Sequence, residues 1–142
     1  MSNHYLGIAE KIHADACVKA GVCVLGLKGP SGVKKLNPGD GVIYYSPKIA
    51  PNGEVLRAFT AIGEVTGETP YERSFDGASN PLWVRDVAWR REARDVSIYD
   101  LLEDLSWIKK PKNWGFYMRG AHRAIPAEDY ARIAGAMLGG AA

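Results

Sequence analysis

Residues 37–48, NPGDGVIYYSPK, followed by residues 56–65, LRAFTAIGEV, decide the fold that this sequence predicts. Pro38 fixes φ at the second position of a tight turn, and Gly39 tolerates the positive φ that a type II turn requires at the third. The β-branched and aromatic residues that follow the turn suit a pleated strand. Asn52-Gly53 is a second turn signal between the two segments, so we expect them to pair as a hairpin.

The alternation of this hairpin predicts which side chains share a face. Neighbouring residues of a strand point to opposite faces, so Tyr44 or Tyr45, but not both, should face inward. By the same alternation, Phe59, Ala61 and Gly63 should share one face of the returning strand. The small residues Ala61 and Gly63 would let another backbone or a ligand approach that face closely.

Shorter strands and helices are indicated on either side of the hairpin. Strands are predicted at residues 5–9, 22–27 and 83–91, and helices at residues 10–20, 97–105 and 126–138. Strands dominate the middle of the chain, which favours a closed or nearly closed barrel over a doubly wound sheet. The sequence therefore predicts an α+β fold, with a β-barrel of five or six strands and about three helices.

Length and charge limit the kinds of partner that the chain can have. A chain of 142 residues fits one domain, which we expect to span residues 1–142. The formal net charge is only +2, so strong non-specific attraction to a phosphate backbone is not predicted. Basic residues are nevertheless clustered, at Lys34 and Lys35, at Arg90, Arg91 and Arg94, and at Lys109, Lys110 and Lys112. Solvated loops explain each cluster taken alone.

Several common chemistries are missing from the sequence. Cys17 and Cys23 are too few for a disulfide framework, and no set of four zinc ligands accompanies them. There is no nucleophile elbow, Walker loop, dinucleotide fingerprint or HExxH motif, so we assign no catalytic residue, no metal and no cofactor. No apolar stretch is long enough to span a membrane, and no charged leader precedes an apolar core. We therefore expect a cytoplasmic protein with no membrane partner.

Aromatic and basic residues occur together in three strand or loop segments: residues 44–48, Trp83-Val84-Arg85, and Trp114-Gly115-Phe116 followed by Arg119. A flat aromatic face stacks on any nucleobase, and a nearby Lys or Arg can hold the phosphate. The simpler alternative is that most of these rings are core residues, because large aromatic side chains dominate protein cores.

Several segments resemble, in the same order, the signature of the EVE-domain family. They are Pro38-Gly39-Asp40, residues 43–48, residues 58–65, Arg85-Asp86-Val87, Leu105-Ser106-Trp107-Ile108, and Trp114-Gly115-Phe116 with Arg119-Gly120. The resemblance extends from about Asn3 to Met137, which is nearly the whole chain. It implies a PUA-like β-barrel, related in architecture to YTH domains, which hold a methylated base in an aromatic cage.

The resemblance also implies a partner and a set of site residues. The implied partner is nucleic acid, DNA or RNA, that contains a modified base. The implied base pocket consists of Asn3, Tyr5, Lys28, Tyr44, Ser46, Trp83 and Trp114. The implied phosphate contacts are Lys48, Arg85 and Arg119. Because no nuclease accompanies the domain, we expect any effector action to come from a separate protein.

Three positions depart from the family pattern. Tyr5 stands where the family usually has Trp, Val84 where it often has Arg, and His122 where an apolar or aromatic residue is common. A Tyr ring still stacks on a base, whereas Val84 removes one phosphate contact. The expected fold is unchanged by these departures.

Two other functions remain open at this point. The related ASCH architecture includes hydrolases of acylated nucleosides that use Lys, Thr and Glu, and Lys28 or Lys48 with Thr60 and Glu64 would supply those residue types. A desolvated Lys can act as a base or a nucleophile. The third interpretation is an interaction module with a peptide-binding groove, in which the Trp residues are surface hot spots.

Overall fold

The computed structural model describes residues 2–26, 29–75, 80–118, 120 and 122–139. Within these residues the strands are β1 (His4–Ile8), β2 (Val22–Cys23), β3 (Gly41–Lys48), β4 (Val55–Val65), β5 (Tyr71–Arg73), β6 (Leu82–Trp89), β7 (Val96–Ser97) and β8 (His122–Ala124). The helices are α1 (Lys11–Ala20), α2 (Ser31–Lys34), α3 (Trp114–Tyr117) and α4 (Ala127–Leu138).

The strands form one mixed sheet, which curves into a half-barrel. Its order is β2-β6-β4-β3-β1-β8, with β5 added beside β6 and β7 beside β4. β1 and β3 are parallel, and the other described pairs are antiparallel. The predicted α+β fold is confirmed. The strand count exceeds five or six because β2, β5, β7 and β8 are short pieces of two or three residues that extend the four longer strands.

Two hydrophobic cores bury both faces of the central strands. The first core lies between the sheet and α1 and contains Val42 and Tyr44, whereas the second lies under α4 and contains Ile43 and Tyr45. Tyr44 and Tyr45 therefore point to opposite faces, as the alternation predicts. The expectation that only one of them faces a core is wrong, because α4 and the segment before it cover the second face of the sheet.

The pairing of β3 with β4 shifts register twice, between Tyr44 and Tyr45 and between Ser46 and Lys48. The first shift is a bulge that places Phe59 in the second core while Ala61 stays in the first. The expected common face of Phe59 and Ala61 is therefore wrong. At the second shift, Arg57 adopts a φ of 53°, in the left-handed region.

The predicted helix at residues 97–105 is replaced by two 3-10 turns. Ser97 caps the first turn as expected, since its side chain accepts a hydrogen bond from the Tyr99 amide at 3.2 Å. The turns are Ile98–Asp100 and Leu102–Asp104, with Leu101 between them at a φ of −121°. Burial of Ile98 and Leu101 in the second core overrides the helical pattern of the sequence.

The Tyr44 hydroxyl attaches the irregular segment after β2 to the central sheet. It accepts a hydrogen bond from the Val24 amide and donates one to the Val24 carbonyl, each at 2.7 Å. Both residues are buried, so neither backbone group of Val24 can turn to water instead. The Tyr44 hydroxyl therefore provides the hydrogen bonds of the Val24 amide and carbonyl, because Val24 belongs to no described strand.

Replacing Tyr44 by Phe should lower the free energy of unfolding by about 1–3 kcal/mol, because it leaves a buried amide and a buried carbonyl without partners. Tyr45→Phe is the matched control, since Tyr45 is the neighbouring buried tyrosine and its ring packs edge-on against Phe59 at a centroid distance of 5.7 Å. Urea unfolding of both variants measures the difference. Equal stabilities would contradict the role given to the Tyr44 hydroxyl.

Candidate functional site

An aromatic ring, an ammonium and an imidazole meet beside β1, and we call them the Tyr5 site. The Lys35 ammonium, just after α2, lies 4.8 Å from the centroid of the Tyr5 ring. The same Lys35 Nζ lies 2.8 Å from His122 Nδ1. His122 pairs with Gly7 across β1 and β8, which places it on the same face of the sheet as Tyr5.

Partial desolvation shifts the pKa values of two groups in the Tyr5 site. It lowers the pKa of Lys35, and together with the Lys35 charge it lowers the pKa of His122 below 6.5. His122 is therefore neutral at pH 7, and its Nδ1 accepts a hydrogen bond from the Lys35 ammonium. The site presents the Lys35 ammonium, one ring and one neutral imidazole, and burial together with the charge of Asp40 raises the pKa of Tyr5.

Two glycines shape the backbone around the Tyr5 site, one by a close approach and the other by a positive φ. A Cβ on Gly7 would lie 2.8 Å from both Leu25 and the Tyr44 ring, so only Gly fits between them. Gly26 has a φ of 89°, and a Cβ built there would lie 3.8 Å from the His122 imidazole. The segment that Tyr44 holds thus leads directly to the Tyr5 site.

Several of the predicted pocket residues lie in or beside the first core. Tyr5, Tyr44 and half-buried Trp83 all belong to the first core or pack against it. Ser46 is buried with its hydroxyl 2.8 Å from that of Thr60. Asn3 is exposed, and its backbone amide donates to the Asp40 carboxylate at 2.9 Å.

Trp114 is the predicted pocket residue that lies elsewhere. Its ring packs with the second core, on the opposite face of the sheet from Tyr5 and Tyr44. Lys28 lies outside the described residues.

The predicted phosphate contacts have very different environments. Lys48 is exposed at the end of β3, and Arg119 lies outside the described residues. Arg85 is only 3% exposed. Its guanidinium donates to the backbone carbonyls of Gly67, Val33 and Glu68 at 2.8, 2.9 and 2.7 Å. Arg85 therefore holds two backbone segments, residues 67–68 and α2, against its own strand β6.

Lys48, Thr60 and Glu64, the described residues of the hydrolase alternative, do not converge. Lys48 pairs with Val55 at one end of the hairpin, whereas Glu64 pairs with Gly41 at the other. Seven residues along β3 separate these two pairs by about 23 Å. Thr60 is buried against Ser46 between them.

Lys35 and His122 are the site residues that sequence reasoning missed. Lys35 stood out only as part of a basic cluster and His122 only as a departure from the family pattern. Their meeting depends on the pairing of β8 with β1, two strands at opposite ends of the chain. The one sequence signal was His122 itself, a polar residue at a position where the family commonly has an apolar or aromatic one.

Two further features concern metal binding and membrane insertion in the described ranges of the chain. No group of three or more His, Cys, Asp or Glu side chains there could hold a metal ion. None of the helices described is both long enough and apolar enough to cross a bilayer.

Comparisons with known proteins identify relatives of the whole chain. The family model of the EVE domain matches residues 26–136. The UPF0310 protein of Renibacterium salmoninarum is 33% identical over 94% of this chain and 94% of its own length. The UPF0310 protein YdcG of Bacillus subtilis is 32% identical over 96% of this chain and 92% of its own. These matches confirm the resemblance seen in the sequence.

Solved structures share the fold at low sequence identity. The YTH domain of Zygosaccharomyces rouxii MRB1, solved in complex with N6-methyladenosine RNA, superposes with a TM-score of 0.61 and 16% identity, over 93% of this chain and 84% of that one. The MmI1 YTH domain gives a TM-score of 0.59 with 9% identity, over 93% and 92% of the two chains. The PUA-like architecture is thereby confirmed.

Replacing Arg85 by Lys should lower the free energy of unfolding by about 2–4 kcal/mol, because one ammonium cannot reach three carbonyls and charged hydrogen bonds are strong. Arg91→Lys is the control. Arg91 is exposed and donates to a single carbonyl, that of Val18. Chemical denaturation compares the two, and a similar small loss for both would show that Arg85 is not structural.

Acid should destabilise the chain partly through His122. Its pKa is lower in the folded than in the unfolded chain, so its contribution to stability is complete above pH 6.5 and is lost as the pH falls. Burial lowers the pKa of His13 in the same direction, so some acid sensitivity should remain without His122. His122→Asn should therefore give a shallower fall in unfolding free energy between pH 7 and pH 5. An unchanged slope would rule out the contribution of His122.

Proposed function

The chain belongs to the EVE domain family, and from that premise we propose that it binds nucleic acid containing a modified base and holds that base at the Tyr5 site. The observation that carries the proposal is the Lys35 ammonium over the Tyr5 ring, beside a neutral imidazole. A base can stack on this ring in place of the ammonium. The imidazole of His122 then offers a hydrogen bond to the base edge.

Displacing the Lys35 ammonium from the Tyr5 ring costs little free energy. A cation over a Tyr ring contributes about 0.5–2 kcal/mol, depending on how far it is desolvated. The pKa of Lys35 is lowered by burial, so the ammonium gains hydration when it leaves the ring. Its long side chain can then reach a phosphate of the bound strand, in an exchange that keeps one positive charge at the site.

The shared fold supports the same partner. The YTH domain of Zygosaccharomyces rouxii MRB1 was solved with N6-methyladenosine RNA, and its architecture matches over most of this chain. A base must leave its stack to enter such a site, so we propose single-stranded or flipped-out bases as the substrate.

The other predicted residues take supporting roles in this proposal. Half-buried Trp83 packs against the same core as Tyr5, and we assign exposed Lys48 to contact with the backbone of the bound nucleic-acid strand. Tyr44 and Ser46 support the site from the core. Because the net charge is only +2, affinity for an unmodified backbone should be low and sensitive to salt.

Tyr5→Ala should abolish discrimination between modified and unmodified oligonucleotides, since it removes the stacking plane. Tyr5→Phe, which keeps that plane, should retain discrimination. The measurement is fluorescence anisotropy with matched single-stranded DNA and RNA carrying the common adenine or cytosine modifications, at two salt concentrations. Thermal unfolding of each variant checks that the fold is intact.

Lys35→Gln separates the backbone contact from base recognition. It should weaken modified and unmodified strands alike and reduce the salt slope by about one unit. Equal affinity of the unsubstituted chain for every modified and unmodified strand would overturn the proposed function, as would full discrimination by Tyr5→Ala.

A further inference from the structure

A second group of aromatic side chains lies on the other face of the sheet, around Trp114. The Trp114 ring meets Tyr99 edge-on at a centroid distance of 5.6 Å and Tyr45 at 6.4 Å. The Arg57 guanidinium lies 5.8 Å from the centroid of the Trp114 ring. Arg57 also donates a hydrogen bond to the Tyr99 hydroxyl at 2.8 Å.

Arg57 is held at this surface in spite of its backbone conformation. A φ of 53° is unfavourable for a residue with a Cβ and persists where the surroundings fix it. The register shift between β3 and β4 places Arg57 there, and the contacts with Tyr99 and Trp114 orient its side chain. The result is an exposed guanidinium fixed among aromatic rings.

An open cleft lies against α3, the short helix that begins at Trp114. It has a volume of about 750 Å³ and is lined by Lys110, Asn113, Gly115, Phe116 and Tyr117. Phe116 is 64% exposed and Tyr99 is 54% exposed, which is unusual for aromatic side chains of this size. We call Tyr99, Phe116, Arg57 and Lys110 the Trp114 surface.

The chemistry of this surface suits an anionic partner with flat faces. None of the described residues that line the cleft is acidic. Lys110 lies in the basic run of Lys109, Lys110 and Lys112. Tyr99 itself lines a separate, smaller cleft together with Asp100, Glu103 and Asp104, and the Arg57 guanidinium that donates to its hydroxyl supplies the positive charge beside that ring. Exposed rings next to fixed cations are the arrangement that binds single strands by stacking and backbone contact.

We propose that the Trp114 surface is a second binding site for single-stranded nucleic acid, independent of base modification. The inference rests on the proposed function only in assigning the same class of partner to both sites. Tyr44 faces the core of the Tyr5 site and Tyr45 faces the Trp114 surface, so the two sites lie on opposite faces of one sheet. The Trp114 surface therefore adds affinity without altering recognition of the modified base.

The test is binding of an unmodified twelve-nucleotide oligothymidylate at low salt, followed by fluorescence anisotropy. Phe116→Ala and Tyr99→Ala should each weaken binding about fivefold or more, because each removes one stacking ring. Phe116→Tyr should bind like the unsubstituted chain. Arg57→Gln and Lys110→Gln should each reduce the salt slope by about one unit.

Tyr71→Ala is the matched control, since Tyr71 is a 38% exposed ring on β5, away from the Trp114 surface. It should leave oligothymidylate binding unchanged. Unchanged binding by both Phe116→Ala and Tyr99→Ala would overturn the proposal, and so would an equal loss in Tyr71→Ala. Binding of peptides at this surface with no binding of oligothymidylate would also overturn it.

The two proposals fail in different ways. Substitutions at the Trp114 surface should leave the ratio of affinities for modified and unmodified strands unchanged, whereas Tyr5→Ala should change that ratio. If the unsubstituted chain binds modified and unmodified strands equally, the base-reading function is refuted. The result with oligothymidylate is not affected by that outcome. A change in the ratio on Phe116→Ala would instead refute the independence of the second site.

Discussion

The double hydrogen bond between the Tyr44 hydroxyl and Val24 is the interaction on which the Tyr5 site depends. The segment after β2 has no ladder of its own, and this bond fixes it against β3. That segment continues to Gly26, whose backbone approaches His122, and on to α2, after which Lys35 lies over Tyr5. A small polar contact inside the first core therefore positions side chains at the surface.

Burial of both faces of β3 is the second constraint. A sheet with one solvated face would expose every other side chain of Ile43-Tyr44-Tyr45, whereas here α1 and α4 cover opposite sides. Aromatic residues next to each other in sequence consequently belong to different cores and to different surfaces. Rings that look like one cage in the sequence are thus separated by the thickness of the sheet.

The sequence predicts the features that depend on neighbouring residues. These include the turn at Pro38-Gly39, the hairpin, and α1, which ends at left-handed Gly21 as expected. It misses the bulge that moves Phe59 and the breaking of the helix at Leu101, because both follow from packing against distant segments. The burial of Arg85 and the meeting of Lys35 with His122 are tertiary features of the same kind.

The Tyr5 site and the Trp114 surface share one feature, a cation placed over an aromatic ring. Lys35 covers Tyr5, and Arg57 covers Trp114. A nucleobase that displaces such a cation gains about 1–3 kcal/mol of stacking and loses part of a cation–π contact of about 0.5–2 kcal/mol. The net gain for each base is small, so an unmodified strand binds weakly at either surface. Preference for a modified base must then come from contacts to the modification itself, and beside Tyr5 the neutral His122 is placed to make one.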